Sequence, residues 1–155
     1  MLKELCLING ASGNEDAVRD YIISQIKDCC EYKVDNLGSI IAYKKGKKTP
    51  AQKISINAHM DEVGFIVTGI TDDGYLRFSN VGGIDSRVCL DRIVTVGKKA
   101  VKGVIGDKAF HLLSSDEKDS CPSFDNLLID IGATSKEEAE QYVSLGDFAY
   151  FDSDY

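Results

Sequence analysis

The chain has 155 residues, which is enough for one ordinary domain or two small ones. Hydrophobic residues make up 43% of it and charged residues 28%, so the composition indicates a folded globular protein rather than a disordered one. The net charge of -7 argues against a nucleic-acid partner, and no apolar run reaches the length of a membrane span.

The sequence predicts helices up to about residue 30. The second of them has one apolar face that repeats at i+4 steps, at Val18, Ile22 and Ile26. Ser12 and Glu15 have the spacing of a capping box, so we expect a helix N-terminus there. Gly10 and Gly13 are interpreted as a turn and a cap, because the Lys-Ser/Thr ending of a phosphate loop does not follow them.

Strands are predicted from about residue 31 to residue 66. Residues 32–35 and 40–43 flank a turn and form a hairpin pattern. The lysine-rich loop at 44–50 is interpreted as a solvated tip, because no aromatic residues interleave with its lysines. The alternating β-branched run at 53–57 then predicts a core strand that leads directly to His59.

From about residue 67, short β runs alternate with Gly and Asp turns. Asp72-Asp73-Gly74 predicts a hairpin turn, and a second hairpin is expected around Gly97. Further strands are predicted at 127–131 and 148–151, and Ser135 opens one short helix with a second capping box. Closely spaced strands with Gly turns are typical of a small barrel or a sandwich.

His59 and Asp61 follow the predicted strand at the place where open α/β sheets bind their ligands. Residues two apart on a strand point to the same side, so Asp61 can lie near the imidazole and fix its tautomer. A metal-bound histidine needs such a partner. On the H-x-D spacing alone, the alternative is that His59 simply ends a core strand and is satisfied by a neighbour.

Other polar residues give weaker signals. His111 with Ser114 and Ser115 suggests nucleophilic catalysis, but no nucleophile elbow surrounds either serine, so His111 is interpreted as a structural or loop residue. Asp72-Asp73 and Asp116-Glu117 resemble paired glycosidase carboxylates, but such pairs are common at turns.

Five cysteines are spaced irregularly and form no C-x-x-C pair. This pattern is typical of free thiols in a reducing cytosol, so we expect a cytoplasmic protein and disfavour a zinc cluster built from them. The adjacent Cys29 and Cys30 are interpreted as the end of a helix.

Residues 58–65 read Ala-His-Met-Asp-Glu-Val-Gly-Phe. This segment resembles the A-H-x-D-E-V-G-F motif of the dinuclear-metal aminopeptidases of the glutamyl and deblocking type, the tetrahedral aminopeptidases often labelled cellulases or endoglucanases. Other segments resemble the family's remaining motifs in the same order, so that the likeness extends along the whole chain. They are residues 10–15, 35–38, 82–83, 103–106, 111–114, 130–133, 135–140 and 146–147.

The resemblance implies an α/β fold, with an aminopeptidase-type catalytic domain interrupted by a small PDZ-like β-barrel that mediates dimer contacts. Residues 1–66 would be the N-terminal part of the catalytic domain, and residues 67–155 the inserted barrel. In the family two divalent metal ions, zinc or cobalt, activate a water that attacks a peptide bond, while a glutamate acts as general base. His59 matches a metal ligand, and Asp61 matches the catalytic carboxylate that supports it.

The chain departs from the family pattern because it stops before the D-D-R motif, the Glu-Glu pair and the later ligands. Asp152 and Asp154 are interpreted as loop residues that precede the D-D-R motif. A single imidazole cannot hold two metals, so we expect incomplete metal binding and no peptide hydrolysis by this chain alone. The second half of the catalytic sheet is also missing, which leaves the apolar faces of residues 1–66 without part of their cover.

Two functions are therefore weighed. In the first, the chain is the N-terminal portion of a metallo-aminopeptidase acting on peptides and associates as a homo-oligomer through its barrel. In the second, it is a non-catalytic oligomerisation or interaction module.

Overall fold

The computed structural model describes residues 1–48, 51–112, 114–115 and 121–152. The chain forms two compact units, Met1–Glu62 and a second unit that begins at Val63. The boundary predicted from the sequence lies after residue 66 instead. Residues 63–66 lie in the second unit because Gly64 and Phe65 already pair with strands of its sheet.

The first unit contains two helices and one hairpin. Helices α1 (Leu2–Leu7) and α2 (Asp16–Ile26) precede strands β1 (Glu31–Val34) and β2 (Ile40–Tyr43). The two strands are antiparallel, with Val34 opposite Ile40. The turn between them is tied by Asp35, whose Oδ1 accepts hydrogen bonds from the backbone N–H groups of Leu37 and Ser39, each at 2.9 Å. The predicted helices and hairpin are confirmed.

Two expectations for this unit are wrong. Residues 53–57 form no strand in the described part of the chain, because no neighbouring strand there offers them a hydrogen-bonded ladder. Ser12 does not cap α2, whose N-cap residue is Glu15. The hydroxyl of Ser12 instead donates to the carboxylate of Asp61.

The second unit is built on six antiparallel strands that close into a barrel. They are β3 (Gly64–Ile70), β4 (Leu76–Val81), β5 (Ile93–Val96), β6 (Val101–Gly106), β7 (Leu128–Asp130) and β8 (Phe148–Phe151). Their order around the barrel is β3-β4-β7-β6-β5-β8. Of the two architectures that the strand spacing allowed, the structure is therefore the barrel. Its PDZ-like character stays a prediction.

The core of the second unit is the inside of this barrel. Fully buried aliphatic residues from all six strands line it, and Phe65 belongs to the same cluster with no exposed surface. The Phe65 ring meets Phe78 and Phe151 edge-on, each with 5.0 Å between ring centroids. Alternate residues along each strand face inward, which explains the alternating burial of β4, β5 and β6.

Turns and caps in the second unit follow the sequence signals. Gly74 adopts a φ of 88° in the turn between β3 and β4, a left-handed conformation that favours glycine. The short helix α3 (Lys136–Glu140) begins after Ser135, whose Oγ accepts a hydrogen bond from the backbone N–H of Glu138 at 3.2 Å. The second capping prediction is thus confirmed for Ser135. The capping box is not reciprocal, because the Glu138 carboxylate accepts hydrogen bonds from the backbone N–H and the hydroxyl of Thr134.

No helix among the described residues is long and apolar enough to cross a membrane.

Candidate metal centre

The turn before α2 packs beside the segment that carries His59 and Asp61. Ala11 and Glu62 form an isolated parallel β-bridge, in which the backbone N–H of Glu62 donates to the Gly10 carbonyl at 2.8 Å. The side chain of Glu62 forms a second hydrogen bond with Gly10, in which its Oε1 accepts from the Gly10 backbone N–H at 3.1 Å. Gly10 and Ala11 are both buried. These bonds fix residues 59–62 against the start of α2.

Gly10 is required here because α2 approaches so closely. A Cβ at Gly10 would lie 2.5 Å from Cγ2 of Val18, which is the buried residue of α2. Because Val18 is β-branched, it has one strongly preferred χ1 rotamer in a helix, and moving its side chain out of this rotamer costs free energy. The sequence pattern assigns Gly10 to a turn. The structure shows that its lack of a side chain also lets α2 pack close to the site.

The imidazole of His59 is oriented by Asp61. Nδ1 of His59 lies 2.9 Å from the Asp61 backbone carbonyl and 2.9 Å from Asp61 Oδ1. Both of those groups are acceptors, so the neutral imidazole places its proton on Nδ1 and leaves on Nε2 the lone pair that a metal needs. The His59 side chain is 85% exposed. The expected proximity of the two side chains is confirmed, although no paired strand produces it.

Asp61 is held from the other side by Ser12. The Ser12 hydroxyl donates to Oδ2 of Asp61, while Oδ1 accepts from His59. The bond from Ser12, followed by the bond from His59, lowers the pKa of the Asp61 carboxyl below its ordinary value. The carboxylate therefore stays ionised and able to stabilise an imidazole that donates to it. Sequence reasoning missed Ser12 as a member of this group, since local spacing alone assigned it to a helix cap.

The chemistry that these residues can perform is limited by their number. Within the described residues, no three His, Cys, Asp or Glu side chains lie together as a group that could hold a metal ion. His59 offers one nitrogen ligand. The Asp61 carboxylate accepts hydrogen bonds from His59 and Ser12. The Glu62 carboxylate accepts one from the backbone N–H of Gly10. The residues present thus do not fit a complete dinuclear site.

The remaining sequence candidates lie elsewhere. Asp72 and Asp73 occupy the turn between β3 and β4, and His111 lies in an exposed 3-10 turn of the second unit. Asp152 follows β8, where its Oδ1 pairs with the Lys102 ammonium at 2.5 Å. Asp116, Glu117 and Asp154 fall outside the described residues, as do Thr49 and Pro50 of the lysine-rich loop.

All five cysteines are free thiols. Cys89 is buried in the barrel unit, Cys30 is half-buried, and Cys6, Cys29 and Cys121 are exposed. Burial raises the pKa of the Cys30 thiol, and the neighbouring Cys29 raises it further.

A groove with a volume of 870 Å³ lies in the first unit beside His59. It is bounded by α2, by the turn between β1 and β2, and by residues 56–61. Apolar side chains such as Ile22, Ile41 and Ile56 line it together with Arg19. The groove therefore exposes surface that a globular domain normally buries.

Comparison with known proteins identifies what the chain is similar to. The family model for M42 glutamyl aminopeptidases matches residues 38–155. The TET1 peptidase of Pyrococcus horikoshii, which can assemble into a tetrahedron or a large octahedral shell, is 45% identical, with a TM-score of 0.83 over 97% of this chain and 45% of its own. A TET aminopeptidase from a marine-sediment thaumarchaeote is 39% identical, with a TM-score of 0.88 over 97% of this chain and 43% of its own.

The lysyl aminopeptidase of Pyrococcus furiosus is 34% identical over 96% of this chain and 45% of its own. The chain thus spans less than half the length of these relatives.

Proposed function

Because the chain belongs to the M42 glutamyl aminopeptidase family, we propose that it carries the N-terminal portion of a dinuclear metal-dependent aminopeptidase that removes N-terminal residues from peptides. The observation that supports this most directly is the oriented His59–Asp61 pair within the A-H-x-D-E-V-G-F segment. The five free thiols favour the cytoplasm as its compartment.

His59 is proposed as a metal ligand through Nε2. Asp61 is a positioning carboxylate, which keeps the proton on Nδ1 and makes the imidazole a better donor to a zinc or cobalt ion. Ser12 holds Asp61 in turn. The other ligands and the general base must come from the part of the family fold that these 155 residues do not span, so the chain alone is proposed to hydrolyse no peptides.

The second unit is proposed as the part through which the protein forms a homo-oligomer. Ile93 and Val104 lie opposite each other in the register of β5 and β6, and they are 50% and 44% exposed. A paired apolar patch on the outside of a closed barrel favours contact with a second copy. If the catalytic proposal fails, this patch makes an oligomerisation or interaction module the better function.

A single-chain chimera tests the catalytic proposal. Residues 1–155 are joined to the part of the Pyrococcus horikoshii TET1 peptidase that follows the matched region, and the product is assayed with zinc or cobalt on a panel of aminoacyl anilides. We expect turnover that His59→Ala abolishes and that Asp61→Asn lowers about 10- to 100-fold, as for other partners of metal-bound histidines. Metal analysis of the same proteins should show that His59→Ala loses bound metal.

His111→Ala is the matched control, because it removes the second histidine from an exposed turn and should leave activity unchanged. The 155-residue chain by itself should be inactive under the same conditions. A folded chimera with no His59-dependent turnover, or an active isolated chain, would contradict the proposal.

A further inference from the structure

Two adjacent thiols, Cys29 and Cys30, lie in the short segment 27–30 that connects α2 with β1. Cys29 is exposed, Cys30 is half-buried, and both are free thiols. The proposed metal site uses neither of them. The pair therefore offers two nucleophilic sulfur atoms, one of them fully accessible, that can react in turn with the same small molecule.

The pair holds the end of α2 through a single carbonyl group. The C=O of Ile26, the last residue of the helix, accepts hydrogen bonds from the backbone N–H groups of Cys29 at 2.9 Å and of Cys30 at 3.2 Å. The Cys30 thiol donates to the same oxygen at 3.4 Å. One of the three donors that cap this helix end is thus a hydrogen atom that Cys30 carries only while it is reduced.

The two thiols also act on each other. Burial raises the pKa of the Cys30 thiol, and charge repulsion by Cys29 together with a hydrogen bond between the two side chains raises it further. The hydrogen bond requires the two thiols to lie side by side. The Lys44 ammonium acts in the opposite direction, because its charge favours the Cys30 thiolate. The thiolate is the form that attacks a disulfide.

A bond between adjacent cysteines has a restricted geometry. Across a trans peptide bond such as this one the two Cα atoms are about 3.8 Å apart, whereas most disulfides join Cα atoms about 4.4–6.8 Å apart. A disulfide between Cys29 and Cys30 would be strained, and strained or exposed disulfides are the easily reduced, regulatory ones. The geometry therefore favours a bridge that opens again readily over a permanent structural crosslink.

We propose that Cys29 and Cys30 form a redox-sensitive dithiol, which low-molecular-weight disulfides convert reversibly into a vicinal disulfide that loosens the end of α2. The Cys29 thiolate attacks one sulfur of the oxidant, breaks its S–S bond and releases one thiol. The Cys30 thiolate then attacks Sγ of Cys29, breaks the mixed disulfide and releases the second thiol. Two electrons pass to the oxidant, and the protons of the two cysteines end on the released thiols. Cys30 then has no thiol hydrogen to donate to Ile26.

Mass spectrometry of the oxidised protein tests the bridge. The protein is treated with oxidised glutathione, the remaining thiols are alkylated, and trypsin releases residues 28–33, which contain no other cysteine. We expect this peptide to have lost two hydrogen atoms and to carry no alkyl group. Reduced glutathione should restore both thiols, because a strained disulfide is reduced more easily than a structural one. Lasting glutathione on the peptide, two alkylated cysteines, or a crosslink to another peptide overturns the proposal.

Single-cysteine variants separate the two steps. In Cys30→Ser the reaction should stop after the first step, which leaves glutathione attached to Cys29. In Cys29→Ser the exposed attacking thiol is absent, so the peptide should show no internal disulfide. Cys121→Ser is the matched control, because it removes an exposed thiol outside this segment and should leave formation of the bridge unchanged.

Hydrogen exchange tests the effect on α2. Amides of residues 27–30 should exchange about twofold faster or more in the oxidised protein, since one donor to the Ile26 carbonyl is lost. The amides of the hairpin formed by β1 and β2 should not change. Cys30→Ser keeps a hydroxyl that can donate to the same carbonyl, so its amide exchange should not respond to the oxidant. A bridge that forms while exchange at residues 27–30 stays the same overturns the proposed effect on the helix.

Discussion

The hydroxyl of Ser12 donates a hydrogen bond to the carboxylate of Asp61, which lies 49 residues further along the chain. Asp61 in turn accepts from Nδ1 of His59. The turn that precedes α2 is therefore part of the same hydrogen-bonded group as the candidate metal ligand. Substitutions in this turn should therefore alter the hydrogen bonding of the His59 imidazole.

Replacing Ser12 with Ala should raise the pKa of the Asp61 carboxyl toward its ordinary value. The bond from Ser12 is the largest cause of the lowering, and the bond from His59 remains in the variant. Carbon-13 NMR titration of the aspartate carboxyl groups measures the change. Ser24→Ala is the control, since that hydroxyl donates to the Tyr21 carbonyl within α2. An unchanged Asp61 titration in Ser12→Ala would show that the contact is not formed in solution.

Replacing Gly10 with Ala should destabilise the first unit. The new methyl group would lie 2.5 Å from Val18 Cγ2, and overpacking of this kind costs about 1–3 kcal/mol. Hydrogen exchange of α2 should accelerate accordingly. Gly83→Ala is the matched control, because no atom lies within 4 Å of its added Cβ. Adding Val18→Ala to Gly10→Ala should recover part of the loss, and failure to do so would refute the packing explanation.

Replacing Ser135 with Ala should destabilise the second unit by about 1 kcal/mol, the usual effect of removing a serine N-cap. The variant loses the acceptor for the Glu138 N–H at the start of α3. Urea unfolding, monitored by a spectroscopic signal from the barrel, measures this difference in the free energy of unfolding. Ser144→Ala serves as control, because Ser144 bonds to Asp147 through its backbone N–H. Equal effects of the two substitutions would argue against a capping role.

Asp85 and Arg87 should make stability depend on pH at the acid end. Hydrogen bonds from the Arg87 guanidinium lower the pKa of Asp85 from 3.8 to about 2. A carboxyl with a lowered pKa stabilises the fold above its unfolded pKa and loses that contribution as pH falls through its folded pKa. The stabilisation is therefore present above about pH 4 and disappears toward about pH 2.

Asp85→Asn should accordingly be less stable than the parent at neutral pH, and the difference should vanish near about pH 2. Urea midpoints across this range measure it, and Arg87→Gln should move the Asp85 titration upward. A parent–variant difference that is constant with pH would contradict this account. The effect is expected to be small, since both side chains are largely exposed.

Local patterns predicted those elements whose stabilising contacts are near in sequence. The turn at Asp72-Asp73-Gly74 and the cap at Ser135 depend on residues within four positions of one another, and both form as expected. The strand at 53–57 was predicted from the same kind of pattern and does not form. A strand differs from a turn because its backbone needs a partner from elsewhere, and the described part of the chain has none to offer it.

The sequence by itself determined the hairpins, the helices, the family and the candidate pair His59 and Asp61, because each depends on short-range order or on a contiguous motif. Only the tertiary structure decided that the strands close into a barrel, that Phe65 is fully buried in its core, and that Ser12 bonds to Asp61. These relationships join residues far apart in the chain. They are set by which apolar surfaces can be buried together, a property that no local pattern contains.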